Sequence, residues 1–74
     1  MVDKYLNATN LDCPLPLLKA KLSLSELKSG EILEVTATDP TSWDDFTSYA
    51  IISGNKLLKA VKLKDVFVYT IEKK

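Results

Sequence analysis

The sequence predicts a two-layer α/β sandwich of order β-α-β-α-β-β, with two helices on one face of a four-stranded mixed sheet. Three observations predict it. Residues 31–38 alternate apolar Leu33, Val35 and Ala37 with polar Glu34 and Thr36, the period of a half-buried strand. Two stretches open on proline, at Pro14 and at Pro40, and each closes on a glycine, at Gly30 and Gly54. Proline is tolerated in the first turn of a helix and glycine just past its end, so each stretch reads as a helix. Finally, two strand-like runs, 56–63 and 66–72, are separated only by Lys64-Asp65, which predicts a tight hairpin.

Taken in order, residues Val2 to Ala8 form a first strand with Val2, Lys4, Leu6 and Ala8 on one face and Tyr5 on the other. Asn10 follows in a turn; asparagine tolerates a left-handed backbone better than most residues. The first helix is expected from Pro14 to about Lys28, ended by Ser29-Gly30 with the glycine as the residue after the cap. Leu17, Ala20, Leu24 and Leu27 form its core-facing stripe, and Leu15, Leu18 and Leu22 form a second stripe on roughly the opposite side. That second stripe is either scattered surface leucine or a docking surface.

After the strand at 31–38, Thr38 or Asp39 is expected to cap a second helix with Pro40 near its first position. Trp43, Phe46 and Ala50 are spaced for its core face, with Tyr49 and Ser53 on the flank. Asp44 and Asp45 fall in its first turn, where negative charge favours the helix dipole. The third strand, Lys56 to Leu63, has no clear register in its pattern, whereas Val66 to Glu72 puts Phe67, Tyr69 and Ile71 on one face. Each strand–helix–strand crossover is expected to be right-handed.

Size and composition narrow the function. Seventy-four residues make one domain, 1–74, with 46 % hydrophobic residues to build one core. Formal net charge is zero and every cation is lysine, so the basic excess and arginine forks of nucleic-acid binders are missing. Direct nucleic-acid binding is therefore not expected. Neither an apolar leader region after Met1-Val2-Asp3-Lys4 nor an apolar run of membrane-spanning length is seen, so no membrane insertion is expected and the cytoplasm is the expected location.

The chain has one cysteine, Cys13, and no histidine. An internal disulfide, a Cys-His or Ser-His-Asp pair and a His/Cys metal cluster are all excluded, and no metal or cofactor is expected. A lone thiol without a base is left with direct sulfur chemistry, redox sensing, or a plain role as a small semi-buried residue. Its setting is Leu11-Asp12-Cys13-Pro14-Leu15-Pro16-Leu17-Leu18-Lys19-Ala20, which puts Cys13 at about the N-cap of the first helix. A helix N-terminus lowers a thiol's pKa and stabilises its thiolate, while the adjacent Asp12 opposes that charge. Pro14 and Pro16 fix the backbone on both sides of Leu15. Lys19 and Lys21 are either solvated surface or a feature for an acidic partner to find.

Leu11-x-Cys13-Pro14-x-Pro16-Leu17, the lysine-bearing helix, Gly30 and Thr38-Asp39-Pro40 together resemble the TusA/SirA/YeeD family of small sulfur-carrier proteins over nearly the whole chain. The chain departs from that family's pattern at Thr9-Asn10, Phe46-Thr47 and Asn55. The resemblance implies the same fold and a sulfurtransferase-type carrier acting with partner enzymes. In that role Cys13 accepts sulfane sulfur from a cysteine desulfurase or rhodanese-type donor and holds it as a persulfide. It then relays the sulfur to an acceptor protein in tRNA thiolation, molybdenum-cofactor or selenium metabolism, or thiosulfate uptake through a membrane transporter. Pro14 and Pro16 then position the thiol, and Leu15, Leu18, Lys19 and Leu22 are the expected partner surface. The alternative is a binding or regulatory module that uses the leucine stripe and does not need Cys13.

Overall fold

The computed structural model describes residues 2–12 and 15–74. Its elements are β1 (Lys4–Ala8), α1 (Leu15–Ser25), β2 (Ile32–Ala37), α2 (Ser42–Ser53), β3 (Lys56–Leu63) and β4 (Val66–Glu72). The sheet order is β1-β2-β4-β3, with β1 parallel to β2 and β4 antiparallel to both of its neighbours. Both helices pack on one face of this mixed sheet, which is the predicted sandwich.

The period-two strands set the core. Leu33, Val35 and Ala37 of β2 and Phe67, Tyr69 and Ile71 of β4 are paired neighbours pointing at the helices, and all are buried. Ala20 and Leu24 of α1 and Phe46 of α2 close the other side, with Leu17 and Leu27 packed at the margin. The first stripe of α1 is therefore the core stripe, as its spacing requires. Phe46 stacks on Tyr69 with ring centroids 4.5 Å apart, the centre of an aromatic cluster.

Four expectations are corrected. The first helix ends at Ser25 rather than near Lys28. Its exit tightens, because Glu26 and Leu27 donate to carbonyls only three residues back, those of Ser23 and Leu24. The helix has no basic residue in its own last turn, and Lys73 supplies the missing cation from across the fold by donating its Nζ to Leu24 O at 2.6 Å. Gly30, at φ +89°, lies beyond the helix and donates its N–H to Lys73 O at 2.8 Å.

The second helix starts at Ser42, two residues after Pro40. Asp39 accepts the Thr41 N–H on its side chain and the Ser42 N–H on its carbonyl, each at 3.0 Å, which makes a turn ahead of the helix instead of a cap. Thr41 occupies the cap position without a side-chain hydrogen bond, and Thr38 is engaged elsewhere.

Trp43 is not a core residue; it is 38 % exposed. With the helix beginning at Ser42, the buried face is Ser42, Phe46 and Ala50, at four-residue spacing, and Trp43 is turned to the flank. There its edge leans on Phe67 and Tyr69 at centroid distances of 6.3 and 6.2 Å. Ser42 can be buried because its hydroxyl and the Tyr69 hydroxyl share a 2.7 Å hydrogen bond.

The ambiguous register of β3 has a structural cause. Leu57 pairs with Ile71 and Lys59 with Thr70, so two steps along β3 match one along β4 at a bulge. The alternation changes phase there, and Leu57 and Ala60 both reach the core side. Lys64-Asp65 does form a two-residue turn between the paired Leu63 and Val66, with Lys64 at φ 51°. Asn10 also takes the left-handed conformation expected of it, at φ 63°.

Candidate functional site at the start of the first helix

Parallel pairing of β1 with β2 brings their C-terminal ends to the same edge of the sheet. The chain leaves β1 there and turns into α1. The turn is tied at two described points. Asn10 donates its N–H to Thr38 Oγ1 at 2.9 Å, fastening the loop before Cys13 to the end of β2. Leu15 donates its N–H to Asp12 O at 2.8 Å, tying the start of α1 to the loop before it. Leu11 packs partly buried against the core. Cys13 and Pro14 themselves lie outside the described residues.

The remaining predicted site residues fall on two sides of α1. Pro16 is fully buried, so its ring anchors the first turn at a place where its missing N–H costs no hydrogen bond. Leu15, Leu18 and Leu22 are 45, 51 and 65 % exposed, and Lys19 shares their solvent-facing side. The second leucine stripe is thus an outward face continuous with the start of the helix. The helix carries no acidic residue in its first turn, which leaves the positive end of its dipole uncompensated from within.

Sequence reasoning missed two exposed isoleucines on α2 and a cavity between the helices. Ile51 and Ile52 are each 83 % exposed. A cavity of about 280 Å³ runs between the helices, lined by Leu17, Lys21, Asp45, Tyr49 and Ile52 among others. Lys21 stands over the Tyr49 ring, its Nζ 5.3 Å from the centroid. The isoleucine pair was visible in the sequence, but adjacent residues on a helix point 100° apart and match no single stripe.

Behind the site, burial raises the pKa of the Tyr69 phenol above its ordinary 10.0; the Ser42 hydrogen bond works the other way, and Asp39, Asp45 and Asp44 push it up further. Tyr69 is thus a neutral anchor under α2. Among the described residues no three His, Cys, Asp or Glu side chains group to hold a metal ion. No described helix is long and apolar enough to cross a membrane.

The family described as Sulfurtransferase TusA matches residues 4–73. The chain belongs to the TusA family. It is 42 % identical over 71 residues to the sulfur carrier protein TusA of Allochromatium vinosum, covering 96 % of this chain and 93 % of that one. It is 39 % identical over 71 residues to the putative sulfur carrier protein YrkI of Bacillus subtilis, covering 96 and 95 %. Its fold superposes on the crystal structure of a SirA-like protein from Desulfitobacterium hafniense with a TM-score of 0.82 at 25 % identity, over 93 % of this chain and 95 % of that one.

Proposed function

We propose that the protein is a cytoplasmic sulfur carrier, a single domain over residues 1–74, in which Cys13 is loaded as a persulfide and discharged to an acceptor. The observation that carries this reading is membership of the TusA family across residues 4–73, with Cys13-Pro14-x-Pro16 at the entrance to α1. In the loading step the Cys13 thiolate attacks the outer sulfur of a donor's persulfide. A Cys13 S–S bond forms, the donor's S–S bond breaks, and the donor leaves as its thiolate. Discharge repeats the same exchange toward an acceptor thiol. Neither step needs a redox partner, and the absence of a histidine base suits a residue whose anion is favoured by its place at a helix N-terminus.

Pro14 and Pro16 are the positioning residues, and the buried Pro16 ring supports that role. Leu15, Leu18, Lys19 and Leu22 form the surface that meets donor and acceptor proteins, a cysteine desulfurase or rhodanese among the donors. A membrane transporter is among the partners this surface could serve in thiosulfate uptake. Cold cyanolysis of the loaded protein tests the chemistry: one thiocyanate per chain is expected from wild type and none from Cys13→Ser.

A second reading has its own support. The exposed face formed by Leu15, Leu18 and Leu22 suits a binding module that works without the thiol. A Cys13→Ser chain that retains full activity in a cell lacking the wild-type protein would favour it.

A further inference from the structure

The zero net charge conceals a division along the chain. Residues 55–74 hold six of the ten lysines against Asp65 and Glu72, a net charge of +4, and residues 1–54 carry the balancing −4. The fold collects much of the positive share on one edge. β3 is the outermost strand, paired on one side only with β4, and it carries Lys56, Lys59 and Lys62, with Lys64 in the turn that follows. None of these four takes part in the one ion pair among the described residues, which joins Lys4 and Glu26. Leu58 and Leu63 on the same strand are 43 and 57 % exposed.

Lysines and a bulge on an edge strand have a protective effect: they stop the edge from pairing with its own kind. That same feature selects for an opposite partner. A second copy of β3 would bring lysine against lysine, whereas an acidic strand would neutralise the row and meet main-chain groups that have no neighbour. A nucleic acid fits less well, because β3 has no aromatic side chain for base stacking and β4's Phe67 and Tyr69 are buried. We propose that the free edge of β3 receives an extended, acidic segment of a partner protein by strand addition, its carboxylates meeting Lys56 and Lys59 on the open face of the sheet, while Lys62 stands over Phe67 on the helix face and Lys64 lies in the turn. This edge is built by β3 and not by α1, so it concerns how a partner is held and not how sulfur moves.

The full chain can be tested with isotope labelling and a capped peptide of about nine residues alternating glutamate and valine, the length of an ordinary strand. The comparison probes are the same peptide with a central proline, the same peptide with lysine for glutamate, and an oligouridylate. Expected are binding of the acidic peptide alone and added exchange protection at the β3 amides that point away from β4. Affinity should fall about tenfold or more in Lys59→Glu/Lys64→Glu, and also on raising salt from about 0.05 to about 0.5 M. Circular dichroism of the variant checks that it remains folded. No binding of the acidic peptide would overturn the proposal. So would equal binding of the proline peptide, which would mean charge without strand pairing. Shifts confined to residues outside β3 or tighter binding of the oligouridylate would overturn it as well.

Discussion

The two helices begin in opposite ways. α2 is fastened by its interior: Ser42 and Tyr69 share a buried hydrogen bond, Phe46 stacks on Tyr69, and the Asp39 turn sets the entry. α1 starts with one buried proline ring and two hydrogen bonds, Leu15 N–H to Asp12 O and Asn10 N–H to Thr38 Oγ1, and its Leu15, Leu18 and Leu22 touch solvent instead of the sheet. One start is packed into the aromatic cluster and the other leaves an apolar face to solvent. Stability and function are therefore expected to separate along this line, with α2 carrying the first and α1 the second.

The largest effect should come from the α2 side. Phe46→Ala removes a fully buried ring and should cost about 3–5 kcal/mol, much of the margin of a domain with about 5–15 kcal/mol in all. Urea unfolding measures it, and a cost below about 1 kcal/mol would mean the aromatic cluster is not the keystone of this half. Ser42→Ala should cost less, about 1–3 kcal/mol, because it strands the Tyr69 hydroxyl in the core. Adding Tyr69→Phe removes the stranded group, so the double variant should lose less than the two single costs combined.

The same pair predicts a pH dependence. The folded pKa of Tyr69 is raised by burial, so the unfolded chain releases this proton first as pH rises. The native state then holds more protons than the unfolded one, and stability falls as pH climbs through and beyond 10.0, the ordinary value. Tyr69→Phe should abolish this share of the alkaline loss, as read from denaturant midpoints across the range.

On the α1 side the effects on stability shrink. Pro16→Ala should cost about 1 kcal/mol, through lost ring burial and a looser unfolded chain. Leu18→Ser and Leu22→Ser change exposed positions and should stay within about 0.5 kcal/mol of wild type while slowing sulfur delivery several-fold. If they unfold the protein instead, the contrast between the helices fails.

Much of this was legible in the sequence because strand periodicity is local. Leu33/Val35/Ala37 and Phe67/Tyr69/Ile71 announce their buried faces without help from the rest of the chain. Several of the remaining features depend on partners distant in sequence. The burial of Ser42 depends on Tyr69, 27 residues on, whose hydroxyl shares a hydrogen bond with it. The end of α1 is shaped by Lys73, 49 residues beyond Leu24. The bulge in β3 exists only in its pairing with β4. At the site, the outward leucine stripe could be read from helical spacing, but the cavity that Leu17 and Lys21 share with Tyr49 and Ile52 required knowing that α1 and α2 lie side by side.

The central claim is that Cys13 carries sulfur on a scaffold that does not need its thiol for stability. The most direct measurement is the intact mass of wild type and Cys13→Ser after incubation with a cysteine desulfurase and cysteine, before and after reductant. The account predicts that wild type gains one sulfur atom, that reductant removes it, and that the variant gains none while melting at the wild-type temperature. Loading of Cys13→Ser to the same extent as wild type, or no loading of wild type from either a desulfurase or a rhodanese with thiosulfate, would contradict it.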